Sequence, residues 1–199
     1  MINTTSGMGS TRKIVVTAML SAISAILMFV DFSIPIMPAF IKLDVSELPA
    51  LVASFSLGPV SGVAVCLIKN LINLFRTTTG GVGEFSNFVL GACFVFPAGV
   101  IYKRLKTRKG ALLGSILGAV IMAVLSVPIN YFVTYPIYAK IMPIDAIISM
   151  YQAIVPSVNG LLECLVVFNM PFTFFKGILD AALTFLIYKR ISHIIKGTH

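Results

Sequence analysis

The chain has 199 residues, of which 58% are hydrophobic and 11% are charged, and it carries a formal net charge of +8. Soluble domains contain about 25% charged residues, so this composition excludes an ordinary soluble domain and indicates an integral membrane protein. Since about 20 apolar residues cross a bilayer once, the length allows roughly five to seven crossings and almost no domain outside the membrane.

Basic residues stand at the ends of the apolar runs, where positive charge marks the cytoplasmic side, so the net charge does not indicate nucleic-acid binding. Three strong basic clusters are Arg12 with Lys13, residues 103–109, and Lys189, Arg190 and Lys196 near the C-terminus. If all three clusters are cytoplasmic, an even number of membrane helices separates each cluster from the next. Both termini are then expected in the cytoplasm.

The first apolar run, residues 14–30, predicts an uncleaved outward helix behind a polar N-terminal tail of residues 1–11. The next apolar stretch contains Gly58-Pro59, a step that permits a tight turn and stops a helix. We therefore expect a short inward helix at residues 49–57 and a full outward helix at residues 60–75. The short helix reaches only about half of a ~30 Å hydrocarbon core, so it must be buried within the protein.

Three further apolar runs predict membrane helices at residues 85–102, 111–133 and 171–191. The last of these begins at Pro171, a residue that is favoured at the first helical position. The segment between the last two helices, residues 135–170, contains three prolines and is expected on the outer side of the membrane.

This outer segment includes an amphipathic helix candidate at residues 144–154. Residues 161–168 either extend the last helix beyond its proline or lie at the membrane interface. The sequence thus predicts one all-α membrane domain, residues 1–199, with six transmembrane helices, a short second helix, both termini cytoplasmic and a C-terminal tail at residues 192–199.

Sequence signatures of catalysis are absent. There is no G-x-S-x-G elbow, no H-E-x-x-H pair and no phosphate-binding loop, and His193 and His199 stand in the C-terminal tail. Cys66, Cys93 and Cys164 have neither metal-ligand nor redox spacing. We therefore predict no enzyme activity and no metal site, and an ATP-driven function would need a separate subunit.

An ionisable residue at the centre of a membrane helix raises the free energy of membrane insertion by about 2.5–3.5 kcal/mol. Each such residue is therefore expected to have a structural or a functional role. Lys176 and Asp180 are four residues apart and can pair on one helix face, or Lys176 can bind a ligand near the outer mouth. Lys69, with Asn70 and Asn73, favours hydrogen bonds between helices.

The predicted topology brings several polar and aromatic side chains together in the outer half of the bundle, beside Phe172. A mostly apolar pocket with a few convergent polar groups is the usual anatomy of a small-molecule site. We predict substrate binding by Asp44, Asn87, Asn130, Thr173, Lys176, Phe40 and Phe174.

Small residues on the first helix recur at a spacing of four. This spacing lets another helix approach closely, and it fits an internal contact as well as a partner surface. The residues are Ala18 with Ala22 and Ser21 with Ala25.

Several ordered motifs, spread over residues 12–190, resemble one transporter family. They are LDVSELP at 43–49, LGPVSG at 57–62, LIKN at 67–70, NYF at 130–132 and PFTFFKG at 171–177. In these motifs the chain resembles the riboflavin-specific substrate-binding (S) component of energy-coupling factor (ECF) vitamin transporters, of the RibU type.

The resemblance implies a six-helix S component of the cell membrane that captures riboflavin from outside, as a transported ligand rather than a cofactor. It implies a transmembrane coupling protein and two cytosolic ATPase subunits as partners, with the coupling protein meeting Ala18 and Ala22. It also implies that Asn130, Thr173 and Lys176 lie in the flavin pocket, where the family pattern often has asparagine in place of Thr173.

Two alternatives remain at this point. The chain can be an S component for flavin mononucleotide or another vitamin, in which case Lys42 or Lys140 can meet a phosphate. It can also be a self-sufficient secondary transporter or a small membrane enzyme. The lack of inverted repeats in the sequence argues against the secondary transporter, and the missing catalytic constellations argue against the enzyme.

Overall fold

The structure, a computed structural model, describes residues 9–38, 41–77, 79–140 and 142–196, with side chains up to residue 188. Within these ranges the chain is almost entirely helical, with one short antiparallel hairpin. The elements are α1 Ser10–Phe29, β1 Phe32–Ser33, β2 Lys42–Leu43, α2 Glu47–Leu57, α3 Pro59–Asn73, α4 Val82–Leu105, α5 Arg108–Ile129, α6 Tyr135–Tyr138, α7 Ile144–Gln152, α8 Leu161–Cys164 and α9 Met170–Lys196.

Membrane-spanning helices dominate the described residues. Five stretches are long and apolar enough to cross a bilayer, and α2 is a shorter apolar helix among them. The prediction of an all-α membrane protein with six helices and a short second helix is confirmed. The five spans are Ser10–Phe29, Pro59–Arg76, Val82–Leu105, Arg108–Tyr138 and Leu161–Tyr188.

The short helix α2 is enclosed by the rest of the bundle. It has 11 residues, and those from Glu47 to Phe55 are all buried. A helix of this length rises only about 16 Å, so its ends lie at membrane depth and need protein around them. Gly58 ends α2 with φ +107°, a conformation that glycine adopts without strain, and Pro59 begins α3.

The last two membrane spans each contain a π-helical segment that ends two residues before a proline. Asn130–Thr134 precedes Pro136, and Leu165–Asn169 precedes Pro171. Proline has no N–H for the carbonyl four residues back and its ring crowds that carbonyl, so the preceding turn opens. The helix that contains α5 therefore continues to Tyr138 rather than ending at residue 133.

The last span begins earlier than Pro171, which was predicted as its start. It runs from Leu161 through the π segment into α9. Of the two predicted alternatives for residues 161–168, an extension of the last helix is therefore the one observed. The outer helix α7 forms within the predicted 144–154, and its Ile147 packs in a cluster with Tyr135 and Phe168.

The small residues of α1 divide between two faces. Ala18 and Ala22 are exposed, whereas Ser21 and Ala25 are 1% and 3% exposed. Of the two alternatives for the small residues, a partner interface or an internal contact, Ser21 and Ala25 show the internal contact, and they face the rest of the bundle because a helix turns about 100° per residue. Only Ala18 and Ala22 remain available to a partner.

Candidate functional site

A cavity of about 190 Å³ lies in the outer half of the bundle. It adjoins a second space of about 400 Å³ that shares four lining residues with it. We call the two together the outer cavity, and their combined size suits a small-molecule ligand. The shared residues are Lys42, Gly83, Asn87 and Tyr138.

Two buried ion pairs stand at the inner wall of the outer cavity. Lys176 Nζ lies 2.7 Å from Asp44 Oδ2, and Lys69 Nζ lies 2.6 Å from Glu47 Oε1. Ser46 joins the pairs, since its hydroxyl accepts from Lys69 Nζ at 2.6 Å and its backbone N–H donates to Asp44 Oδ1 at 2.9 Å. Additional hydrogen bonds of this kind are what make a buried ion pair tolerable.

The carboxylate of Asp44 is held in its charged form. Burial alone would raise its pKa, but the positive charges of Lys176 and Lys69 lower the pKa to about 2. Asp44 therefore remains an anion at any ordinary pH. The ammonium of Lys176 has three donors and lines the cavity, so donors remain for a ligand after it pairs with Asp44.

Of the two alternatives considered for Lys176, the pairing with Asp180 is not formed. Lys176 contacts Asp44 instead, and neither carboxylate oxygen of the buried Asp180 has a hydrogen-bond partner in the described part of the chain. The hydrogen bonding between helices that was expected of Lys69 and its neighbours does occur. Asn73 Nδ2 donates to Glu84 Oε1 at 3.0 Å, and Lys69 donates to Glu47.

The side walls carry the predicted amide and hydroxyl groups. Asn130 follows α5 directly, and its Oδ1 accepts from Ser86 Oγ of α4 at 3.3 Å. No described residue accepts from the amide nitrogen of Asn130, which leaves two N–H groups for a ligand. Thr173 and Asn87 line the same cavity from α9 and α4.

A buried triad ties the outer helix α7 to the cavity wall. The hydroxyls of Tyr135 and Tyr151 are 2.6 Å apart, and Tyr151 donates to Asn169 Oδ1 at 2.7 Å. Tyr135 and Asn169 line the cavity, whereas Tyr151 on α7 is completely buried behind them. Hydrogen bonding in this buried network fixes both wall residues in place.

Gly91 on α4 marks the place where the cavity wall meets Glu47. A Cβ atom at position 91 would lie 2.8 Å from both carboxylate oxygens of Glu47. Any larger residue would displace that carboxylate and disturb its ion pair with Lys69. A glycine in the outer half of α4 is therefore part of the site geometry.

The structure brings together most of the predicted site residues. Asn87, Asn130, Thr173 and Lys176 line the 190 Å³ part of the outer cavity. Asp44 lines the adjoining 400 Å³ part. Their role in ligand binding stays a prediction.

The structure confirms neither of the two aromatic residues that were predicted to bind substrate. Phe174 is 39% exposed and does not line the cavity, because it is rotated by about 200° along the helix from both Phe172 and Lys176. Phe172 lines the cavity in its place. Phe40 lies outside the described residues.

Sequence reasoning missed several polar residues that line the cavity. Tyr135, Tyr138 and Asn169 were assigned to an outer loop, because the prolines hid the continuation of both helices. Glu47 stands in the LDVSELP motif, and its partner Lys69 was the available signal, since a buried cation requires an anion. Ser86 had no distinguishing signal.

Comparisons with a family profile and with individual proteins both identify the same family of membrane transporters. The profile of the family described as ECF transporter, substrate-specific component, matches residues 12–188. The riboflavin transporter RibU of Staphylococcus aureus is 35% identical over 189 residues, covering 95% of each chain. The riboflavin transporter FmnP of Bacillus subtilis is 31% identical and covers 90% of this chain and 92% of its own.

A solved structure of the S component of a bacterial ECF transporter shares the fold. The TM-score is 0.75 at 32% sequence identity, and the alignment covers 94% of this chain and 99% of the other.

Proposed function

This chain belongs to the family of ECF transporter substrate-specific components, and we propose that it captures riboflavin in the outer cavity for ATP-driven uptake across the cell membrane. The observation that carries the proposal is the convergence of Asn87, Asn130, Thr173 and Lys176 on one cavity at the outer end of the bundle. The relatives that share nearly the full length of this chain are riboflavin transporters.

The chemistry of the cavity suits a flavin. The isoalloxazine ring has flat apolar faces and an edge of hydrogen-bond donors and acceptors, and the ribityl chain carries hydroxyls. Phe172 and Tyr138 supply aromatic rings for the faces, and Asn130, Thr173 and Lys176 supply donors and acceptors for the edge and the hydroxyls.

The charges around the cavity favour neutral riboflavin over its phosphorylated form. Three cations and four anions line the two parts of the outer cavity in the described chain, and Lys69 behind the wall pairs with the fourth anion, Glu47, so the positive and negative charges balance. A phosphate would therefore enter a cavity without a net positive charge to bind it. The cations are Lys42, Arg76 and Lys176, and the anions are Asp31, Asp44, Glu47 and Glu84.

The exposed small residues of α1 support a docking surface for the transmembrane coupling protein. Ala18 and Ala22 share a face with the exposed apolar residues Val15, Met19 and Ile26. Small residues at this spacing permit close contact between helices within a membrane. In this proposal the coupling protein packs on that face and connects the chain to two cytosolic ATPase subunits.

Titration of the purified protein with riboflavin tests the proposed function. Flavin fluorescence reports binding, and we expect one saturable site with much weaker competition by flavin mononucleotide. Asn130→Ala is expected to weaken binding by about 1–3 kcal/mol, because it removes hydrogen bonds in a desolvated pocket. The matched control is Asn159→Ala, which changes an exposed asparagine of the outer segment. Failure to bind riboflavin, or equal losses in both variants, would contradict the proposal.

A further inference from the structure

A second large cavity, of about 770 Å³, lies at the opposite end of the bundle, beside the basic turn that joins α4 to α5. We call it the inner cavity. It shares no lining residue with the outer cavity. By the positive-inside rule, this end of the bundle faces the cytoplasm.

The inner cavity exists because the hairpin of α2 and α3 is shorter than the helices around it. At the level of the hairpin turn, a Cβ atom on Gly99 of α4 would lie 3.1 Å from Cα of Pro59. From there α4 runs on to Leu105, about 9 Å further. Below the turn, the cavity is therefore lined by α4, α5 and α9 with the end of α2 as its roof.

The roof of the inner cavity is aromatic. The ring of Phe55, near the end of α2, has its centroid 5.0 Å from that of Tyr102 and 6.4 Å from that of Phe185. Tyr188 meets the same ring edge-on, with the centroids 6.3 Å apart. This part of the cavity offers an apolar surface suited to hydrocarbon.

The mouth of the inner cavity is basic. Lys106 and Arg108 line it, and no acidic residue does so among the described residues. Arg108 is the first residue of α5, where the helix dipole adds partial positive charge, and Lys106 directly follows α4 in the turn between the two helices. This arrangement favours an anionic group at the mouth.

The inner cavity also opens sideways towards the membrane. Leu112, on the membrane-spanning part of α5, lines the cavity and is 49% exposed. An occupant can therefore have a charged end at the cytoplasmic surface and an apolar end in contact with the lipid phase. Anionic phospholipid has this chemistry, and basic pockets between membrane helices on the cytoplasmic side bind such headgroups.

We propose that the inner cavity is a binding site for an anionic phospholipid. Its headgroup phosphate lies between Lys106 and Arg108, and an acyl chain packs along Phe55 and Tyr188. The site is independent of the outer cavity and does not rest on the identity of the transported ligand.

The test measures binding of phosphatidylglycerol to the purified full-length chain in detergent, by native mass spectrometry and by the shift in thermal unfolding midpoint. Lys106→Gln/Arg108→Gln is expected to bind phosphatidylglycerol roughly 30-fold more weakly, since two phosphate-facing cations are lost. The matched control is Lys103→Gln/Lys109→Gln, which removes two exposed cations from the helix ends on either side of the same turn, neither of which lines the cavity. The control is expected to keep the affinity of the unmodified chain.

Two results would overturn the proposal. Equal losses in the two double variants would show general attraction to a basic surface rather than a site. Protection by inorganic phosphate or glycerol phosphate as strong as that by phosphatidylglycerol would show a site for a free anion, without a role for the acyl chain. Circular dichroism of each variant verifies the helical fold, and substitutions at these exposed positions are expected to leave that fold intact.

Discussion

The ammonium of Lys176 on α9 lies 2.7 Å from the carboxylate of Asp44, a residue 132 positions earlier in the chain. The contact joins the segment before the short helix α2 to the last membrane helix. Both residues were predicted as separate ligand-binding groups, and the structure shows that they act as one charged unit. Lys176 lines the 190 Å³ part of the outer cavity. The contact with Asp44 therefore sets the direction in which the remaining N–H donors of Lys176 point.

Replacement of Lys176 by alanine is expected to weaken riboflavin binding by about 1–3 kcal/mol, because a charged donor is lost from a desolvated pocket. The same change leaves Asp44 buried without its cation, so the free energy of unfolding also falls, by roughly 3–5 kcal/mol. Fluorescence titration and thermal unfolding measure the two effects. Lys140→Ala, at an exposed lysine outside the cavity, is the control, and equal effects at both positions would refute a special role for Lys176.

The pH dependence of stability is expected to reveal the Asp44 ion pair. The pKa of Asp44 is lowered from 3.8 to about 2, so the ion pair contributes its full stability above about pH 4. That contribution is lost as the pH falls from about 4 towards 2, when the carboxylate becomes protonated. Unfolding midpoints measured across this range should fall more steeply for the unmodified chain than for Asp44→Asn. A difference that develops between pH 5 and 8 instead would contradict this account.

Replacement of Tyr151 by phenylalanine tests how the outer helix supports the cavity. The hydroxyl of Tyr151 contacts both Tyr135 and Asn169, so its removal leaves buried polar groups unsatisfied and costs about 1–3 kcal/mol of unfolding free energy. We also expect weaker riboflavin binding, because the two wall residues lose their common partner. Tyr131→Phe, at a 39% exposed tyrosine, should leave both quantities unchanged.

Replacement of Ala22 by leucine is expected to block assembly with the coupling protein while leaving riboflavin binding intact. A larger side chain on the exposed face of α1 prevents the close approach of a second helix. Co-purification of the ATPase subunits with the tagged chain measures assembly. Ala182→Leu, at an exposed alanine of α9, is the control, and full assembly of the Ala22 variant would place the coupling surface elsewhere.

Much of the fold was predictable because apolar runs, basic clusters and the Gly58-Pro59 step report on local structure and membrane crossing. Rotation about a helix axis was harder to predict, and it decides that Phe172 rather than Phe174 faces the cavity. Charge pairing was harder still. A local partner for Lys176 was available at Asp180, but the structure uses Asp44, which only the tertiary fold brings near.

The continuation of the helices past Pro136 and Pro171 also escaped prediction. Proline usually ends a helix in a sequence reading, whereas here each proline follows a widened π segment within a longer helix. The cavity residue Asn169 belongs to one of these segments. Its position therefore depends on a backbone irregularity that periodicity alone does not reveal.

Protection of an introduced cysteine tests most directly whether riboflavin occupies the outer cavity. Asn87→Cys places a thiol in the wall shared by both parts of that cavity, and Ser157→Cys places one on the exposed outer segment as a control. In right-side-out vesicles, a membrane-impermeant thiol reagent should label both variants, and saturating riboflavin should slow labelling at position 87 alone. Labelling at position 87 that riboflavin leaves unchanged, or that requires permeabilised vesicles, would contradict the account.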